Sequence, residues 1–167
     1  MKLNRLLFEI GLALVLPGQA LHAQQSDADR QALAQLRAEA EKGGAHSQFQ
    51  MGLAFYLGQF GLATNYMEAV NWIRKAAEQH YARALVNLGR CYENGQGVAK
   101  DAVEAYKWDL LAAAQGDTKA KRNATMLELM LSPEQIAEGN RRAQDWLERR
   151  KTDALQDTGS PAAQTHK

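Results

Sequence analysis

The side chains that could do covalent chemistry are few and scattered. Cys91 is the single thiol, and the histidines are His22, His46, His80 and His166. A nucleophilic cysteine needs a depressed pKa and a partner beside it. The sequence around Cys91 offers neither, so a buried inert thiol is expected. One cysteine also forms no internal disulfide. A metal centre asks for several His, Cys or carboxylate ligands at suitable spacing, a pattern this chain does not carry. The glycines of Gly58-Gln59-Phe60-Gly61 and Gly95-Gln96-Gly97 follow no strand, so they do not read as a phosphate loop. No Ser-x-x-Lys pair is present. Asn123-Ala124-Thr125 matches a glycosylation acceptor but falls on an expected helix. The expectation is a protein without catalytic residues, cofactor or metal.

The elements that position the remaining side chains come from an internal repeat. Gly52, Phe55 and Gly58-Gln59 match Gly89, Tyr92 and Gly95-Gln96 at a spacing of 37. After Phe60, one extra residue, the spacing becomes 36: Glu68, Ala69, Trp72 and Ala76-Ala77 match Glu104, Ala105, Trp108 and Ala112-Ala113. A fixed period in the thirties without β-branched strand runs means stacked helical hairpins, hence an all-α fold. Each copy reads as helix A, glycine turn, helix B. Asn65 and Asp101 stand at N-caps with Glu68 and Glu104 three residues on, as capping boxes. Ser132-Pro133-Glu134-Gln135 opens a last helix, expected over Pro133 to about Arg150. Gly52 and Gly89 fall inside A helices, where glycine costs about 1 kcal/mol against alanine. Paid twice at one phase, that cost marks a close helix crossing. Trp72 and Trp108 are expected between successive hairpins. Leu33 and Leu36 match Ala69 and Trp72, so residues 24–44 read as a lone capping helix. Ala120 and Asn123 match Ala84 and Asn87, with Thr125 in place of the crossing glycine. The resulting division is 1–23 leader, 24–44 cap, 45–80 and 81–116 repeats, 117–151 degenerate repeat and 152–167 unstructured tail.

Residues 1–23 have the order of a secretory signal peptide: Lys2 and Arg5, an apolar stretch from Leu6 to Leu16, then Pro17-Gly18 and Ala23. Cleavage after Ala23 is expected, giving a periplasmic or secreted protein with no stable membrane insertion; the alternative is an uncleaved anchor. The chain has 20 basic and 19 acidic residues, and losing Lys2, Arg5 and Glu9 leaves 18 of each. A neutral molecule has no bulk attraction for nucleic acid.

The string Leu88 to Trp108, LGRCYENGQGVAKDAVEAYKW, followed by Ala112-Ala113-Ala114-Gln115-Gly116, resembles a Sel1-like repeat, a relative of the tetratricopeptide repeats. Met51 to His80 matches the same pattern, with His80 in place of a helix-ending glycine and Phe60 extra. The resemblance implies a right-handed α-solenoid of stacked antiparallel hairpins that binds other proteins, as adaptor, assembly factor or regulator. It leaves a cell-envelope or polysaccharide-associated scaffold as the alternative. Some Sel1-like proteins have been described as β-lactamases, but those are cysteine-rich, unlike this chain.

In tetratricopeptide-like hairpins the A helices line the concave side. Carried over, that geometry puts His46, Phe49, Leu53 and Tyr56 on this face from the first A helix. The second supplies Arg83, Val86, Arg90 and Glu93, and the third Lys119 and Arg122. The face grades from aromatic to basic and suits an extended protein or peptide segment with apolar anchors followed by acidic residues. The competing reading makes the cations a solvated face and Phe49 a core residue.

Overall fold

The computed structural model describes residues 27–158. The expected leader (1–23) and the end of the expected tail (159–167) lie outside the described residues. Seven α-helices are described: α1 Asp27–Glu41, α2 Ala45–Leu57, α3 Tyr66–Glu78, α4 Ala82–Asn94, α5 Ala102–Ala114, α6 Thr118–Glu128 and α7 Pro133–Thr158. No strand occurs among the described residues. α2 packs with α3, and α4 with α5, as the two repeats require; α1 leans on α2, and both α6 and α7 lean on α5.

The turns follow from local chemistry. α2 and α4 end on Gly58 and Gly95 at φ 67° and 69°, each donating its N–H to the carbonyl of Ala54 or Cys91. The extra residue Phe60 forms a 3-10 turn over Gln59–Gly61 and takes φ 54°. His80 keeps the left-handed conformation expected of the glycine it replaces, at φ 60°, against 91° for its counterpart Gly116.

The caps differ in part from expectation. Asn65 Oδ1 accepts from Glu68 N–H, and Asp101 Oδ1 from Val103 and Glu104 N–H. The return bonds from Glu68 and Glu104 are not made. The Asn65 and Asp101 N–H groups donate instead to Phe55 and Tyr92 carbonyls at the ends of the A helices. Glu104 is thereby free to hold Lys107 at 2.7 Å and Arg142 at 3.1 Å. The reciprocal box does form at α7, where Ser132 N–H donates to Gln135 Oε1 and Gln135 N–H to Ser132 Oγ.

The Gly52 crossing is as tight as its cost implied; the Gly89 crossing is looser. A Cβ on Gly52 would stand 2.6 Å from Ile73 Cγ1 and 3.0 Å from the Ala69 carbonyl. Alanines 69, 76, 77, 84, 105 and 112 are buried at the crossings. Trp108 is buried and meets Trp146 of α7 edge-on at 5.8 Å. Its counterpart Trp72 does not fill the space between hairpins. It is half-buried on α3 with the Lys75 ammonium 4.2 Å over its ring, because α7 covers α5 at this position and none of the described helices covers α3 there. Thr125 is not at a crossing either. It faces solvent and donates to the Lys121 carbonyl, while Ala120, Ala124 and Leu127 are the buried residues of α6. α7 continues past Arg150 to Thr158, so residues 152–158, read from sequence as part of a tail, are helical.

Candidate functional site

The A-helix face carries two adjoining concavities. The first, of about 330 Å³, lies between α1, α2 and the Phe60 turn. Leu36, His46, Phe49, Leu53 and Phe60 line it, with Gln50, Gln59 and Arg83 at its edge. The second, of about 460 Å³, lies between α4 and α6. Arg83, Val86, Asn87 and Arg90 line one wall, and Asp117, Lys119, Arg122 and Asn123 the other. Arg83 lines both, which sets the two side by side.

Backbone architecture fixes these side chains. Helix position sets Arg83, Asn87 and Arg90 on one stripe at spacings of four and three. Asn87 ties that stripe together, donating to the Arg83 carbonyl at 2.7 Å and accepting from Arg90 Nη2 at 3.3 Å. The Arg83 guanidinium lies 5.5 Å over the Phe49 ring and that of Arg90 5.8 Å over Tyr56. These stacks hold each charge above an apolar base and leave its outer face open. Arg83, Arg90, Lys119 and Arg122 are exposed, and none makes an ion pair with a described carboxylate. By contrast Arg142 bridges Glu138, Asp101 and Glu104. Asp117 lies in the basic wall, but its carboxylate caps α6, accepting from Lys119 and Ala120 N–H.

Of the residues expected on this face, His46, Phe49 and Leu53 line the apolar concavity, and Arg83, Val86, Arg90, Lys119 and Arg122 the basic one. Phe49 is 2% exposed and is chiefly the floor, packed on Tyr81. Tyr56 and Glu93 line neither: Tyr56 donates its hydroxyl to Gln96 and backs Arg90, and Glu93 is an exposed residue of the last turn of α4. His46 Nδ1 is 2.9 Å from the Tyr81 hydroxyl.

Sequence reasoning missed Leu36, Phe60, Asn87 and Asn123 as lining residues. Asn87 and Asn123 were legible as a repeat match, but a match does not say which way an amide faces. It also missed Asp109, on α5 against Gly89 of α4. Asp109 is 1% exposed, and its Oδ1 lacks a hydrogen-bond partner. Desolvation, with smaller contributions from Glu93 and Asp117, pushes its carboxyl up to about 7 against the opposing pull of the Asn123 amide. Cys91, facing the core, is raised by burial, the opposite of a reactive thiol. No helix among the described residues is long and apolar enough to cross a membrane.

Comparison with known proteins gives this geometry a lineage. The sequence profile of the Sel1 repeat matches residues 45–81 and 82–117. An ERAD-associated E3 ubiquitin-protein ligase component, HRD3A of Arabidopsis thaliana, is 34% identical over 62 residues, 37% of this chain and 9% of that protein. Chitin synthase regulatory factor 3 of Schizosaccharomyces pombe is 40% identical over 80 residues, 46% of this chain and 9% of that one. The chain thus matches only about a tenth of the length of these relatives. Among solved structures, a protective antigen of uropathogenic Escherichia coli strains displaying an SLR fold superposes with a TM-score of 0.67 at 28% identity, over 81% of this chain and 30% of that one. A Sel1 repeat protein from Oxalobacter formigenes superposes with a TM-score of 0.53 at 33% identity, over 60% and 85% of the two chains.

Proposed function

Because two Sel1 repeats form the centre of this all-α solenoid, we propose that the chain is a non-catalytic interaction module, an adaptor or regulator, that holds an extended protein or peptide segment along its A-helix face. One observation carries this reading. Four cations with no carboxylate partner line one concavity, directly beside an apolar one, in a molecule of nearly balanced charge. Unpaired like charges repel one another, and a solvated face of a neutral protein gains nothing from collecting them. An acidic segment would pair with them bidentately through the three arginines, while apolar anchors settle against Leu36, Leu53 and Phe60. The names of the relatives, a ligase component and a regulatory factor, are of the same kind as the proposed role.

The test uses a labelled peptide of two leucines followed by four aspartates. Wild-type protein is expected to bind it with an affinity that falls with salt. The Arg83→Glu, Arg90→Glu, Arg122→Glu triple variant is expected to keep its helical signal and lose both the binding and the salt dependence. Equal binding by the variant would move the partner surface off this face.

The same reading includes export to the periplasm or beyond. Lys2 and Arg5 before the apolar run, with Ala23 after it, motivate that step. The mature N-terminus is then expected at Gln24, read by N-terminal sequencing of the envelope fraction. Full-length protein confined to the cytoplasm would refute export without touching the groove.

A further inference from the structure

α6 lacks the partner that the earlier A helices have. α2 packs on α3 and α4 on α5, each as a hairpin, but α6 packs on α5 and has no comparable contact with α7. On α4 the hairpin face buries Leu85 and Gly89, the latter against Ala105 and Asp109 of α5. On α6, 36 residues later, Lys121 and Thr125 take those places and are exposed. Large apolar side chains stand beside them: Met126 is 60% exposed, and Leu129 and Met130 are each 78% exposed. The end of a solenoid ordinarily turns a polar face outward. α7 does so, with Arg141 paired to Glu138 and Asp145 on its surface. α6 does not.

We propose that this open face of α6 is a self-association surface, on which α6 of a second copy of the chain packs antiparallel about a two-fold axis near Thr125. The inference is independent of the acidic-segment reading.

Charge and shape point to a second copy. In such a pair, residues before Thr125 on one helix face residues after it on the other. Lys121 and Glu128 stand on one flank of the Thr125 stripe, at spacings of four and three. The two-fold therefore sets each Lys121 beside the Glu128 of the other copy, twice by symmetry. Lys121 makes no ion pair with a described carboxylate. Glu128 is positioned by the Tyr106 hydroxyl, which donates to Oε1 at 2.6 Å and leaves Oε2 for a new donor. The opposite flank is apolar. There the two Met126 side chains meet near the axis, and each Leu129 lies along the aliphatic stem of Arg122 from the other copy. Thr125 is small, and its hydroxyl already donates to the Lys121 carbonyl. It can enter a dry contact without an unmet donor. With 20 basic and 19 acidic residues, two copies repel each other little. One short helix face is a small interface, so the dimer is expected to be weak and to dissociate on dilution.

Sedimentation equilibrium over a concentration series tests this. The wild-type mass is expected to rise from one chain toward two. Leu129→Glu, at an exposed position that leaves the fold intact by circular dichroism, is expected to weaken association on the order of tenfold, the scale of one apolar side chain no longer buried. Lys121→Glu and Glu128→Lys each place like charges together and are expected to weaken it several-fold. An equimolar mixture of those two variants puts every lysine opposite a glutamate and is expected to associate at least as well as wild type. A wild-type mass of one chain at every concentration would overturn the proposal. So would association untouched by Leu129→Glu, or a mixture no better than its two components alone.

Discussion

Among the described residues three polar side chains are buried outright, and they are not equivalent. Gln48 donates to the Ala40 carbonyl and accepts from Gln79, and Lys107 is paired with Glu104 and stacked 4.2 Å over Trp108. Asp109 alone leaves an oxygen unmet. Its folded pKa stands above its unfolded value, about 7 against 3.8. The folded chain therefore binds more protons than the unfolded chain between those limits, and stability declines as pH rises from about 4 to about 7. His80 has the opposite sign: burial and then Arg150 lower its pKa, so its protonation disfavours folding as pH falls through the unfolded value. Asp109→Asn separates the two. Its denaturation midpoint is expected to exceed that of wild type at pH 8, with the difference shrinking as pH falls toward 4. A constant difference across that range would mean that the Asp109 carboxyl does not titrate as its surroundings imply.

At the scale of elements, the two crossing glycines look interchangeable in sequence and are not so in three dimensions. At Gly52 an added methyl would meet Ile73 Cγ1 at 2.6 Å and backbone atoms of Ala69 and Ile73 at 3.0 and 3.2 Å. At Gly89 the nearest neighbours are the Asp109 carboxyl at 3.2 Å and the Ala105 carbonyl at 3.4 Å. Alanine gains about 1 kcal/mol of helix propensity at either site. Overpacking against backbone costs on the order of 1–3 kcal/mol. Gly52→Ala is therefore expected to lower the urea midpoint, while Gly89→Ala stays close to wild type. Equal losses would mean that the crossings are the same. The helices, their glycine ends and their caps were legible because each depends on a few consecutive residues. The capping glutamates were misread because the competing acceptors, the Phe55 and Tyr92 carbonyls, come from the preceding helix. Thr125 was misplaced for a related reason: α6 keeps the phase of α4, with Ala120, Ala124 and Leu127 buried 36 residues after Ala84, Leu88 and Cys91, but the helix that follows it leans on α5, so Thr125 has no crossing partner there.

At the scale of the molecule, α7 closes the array. It lies along α5, with Trp146 edge-on to Trp108 and 4.6 Å from the His80 ring, and Arg142 tied to Asp101 and Glu104. In a stack of neighbours, losing one contact loosens the units that share it and spares the rest. Trp146→Ala is expected to cost on the order of 3–5 kcal/mol, as for an aromatic removed from a core. Hydrogen exchange is expected to quicken in α7 and α5 and to change little in α1 and α2. Uniform quickening would show one cooperative block instead of a stack.

The sequence by itself determined the all-α repeat, its period and the row of basic and aromatic side chains on the A helices. Periodicity and turn chemistry are local properties, and repetition at 36 or 37 residues writes them twice. Only the tertiary structure decided which members of that row share a concavity. It set the apolar and basic parts side by side at Arg83 and sent Phe49 to the floor. It also left Trp72 uncovered while burying Trp108. Each of these depends on which helix lies opposite, a fact that no stretch of neighbouring residues contains. Asp109 shows the division most sharply. Its letter is visible at the place where the first repeat has Ile73, but that its carboxyl lies buried against Gly89 with Oδ1 unmet follows only from the packing of α5 on α4.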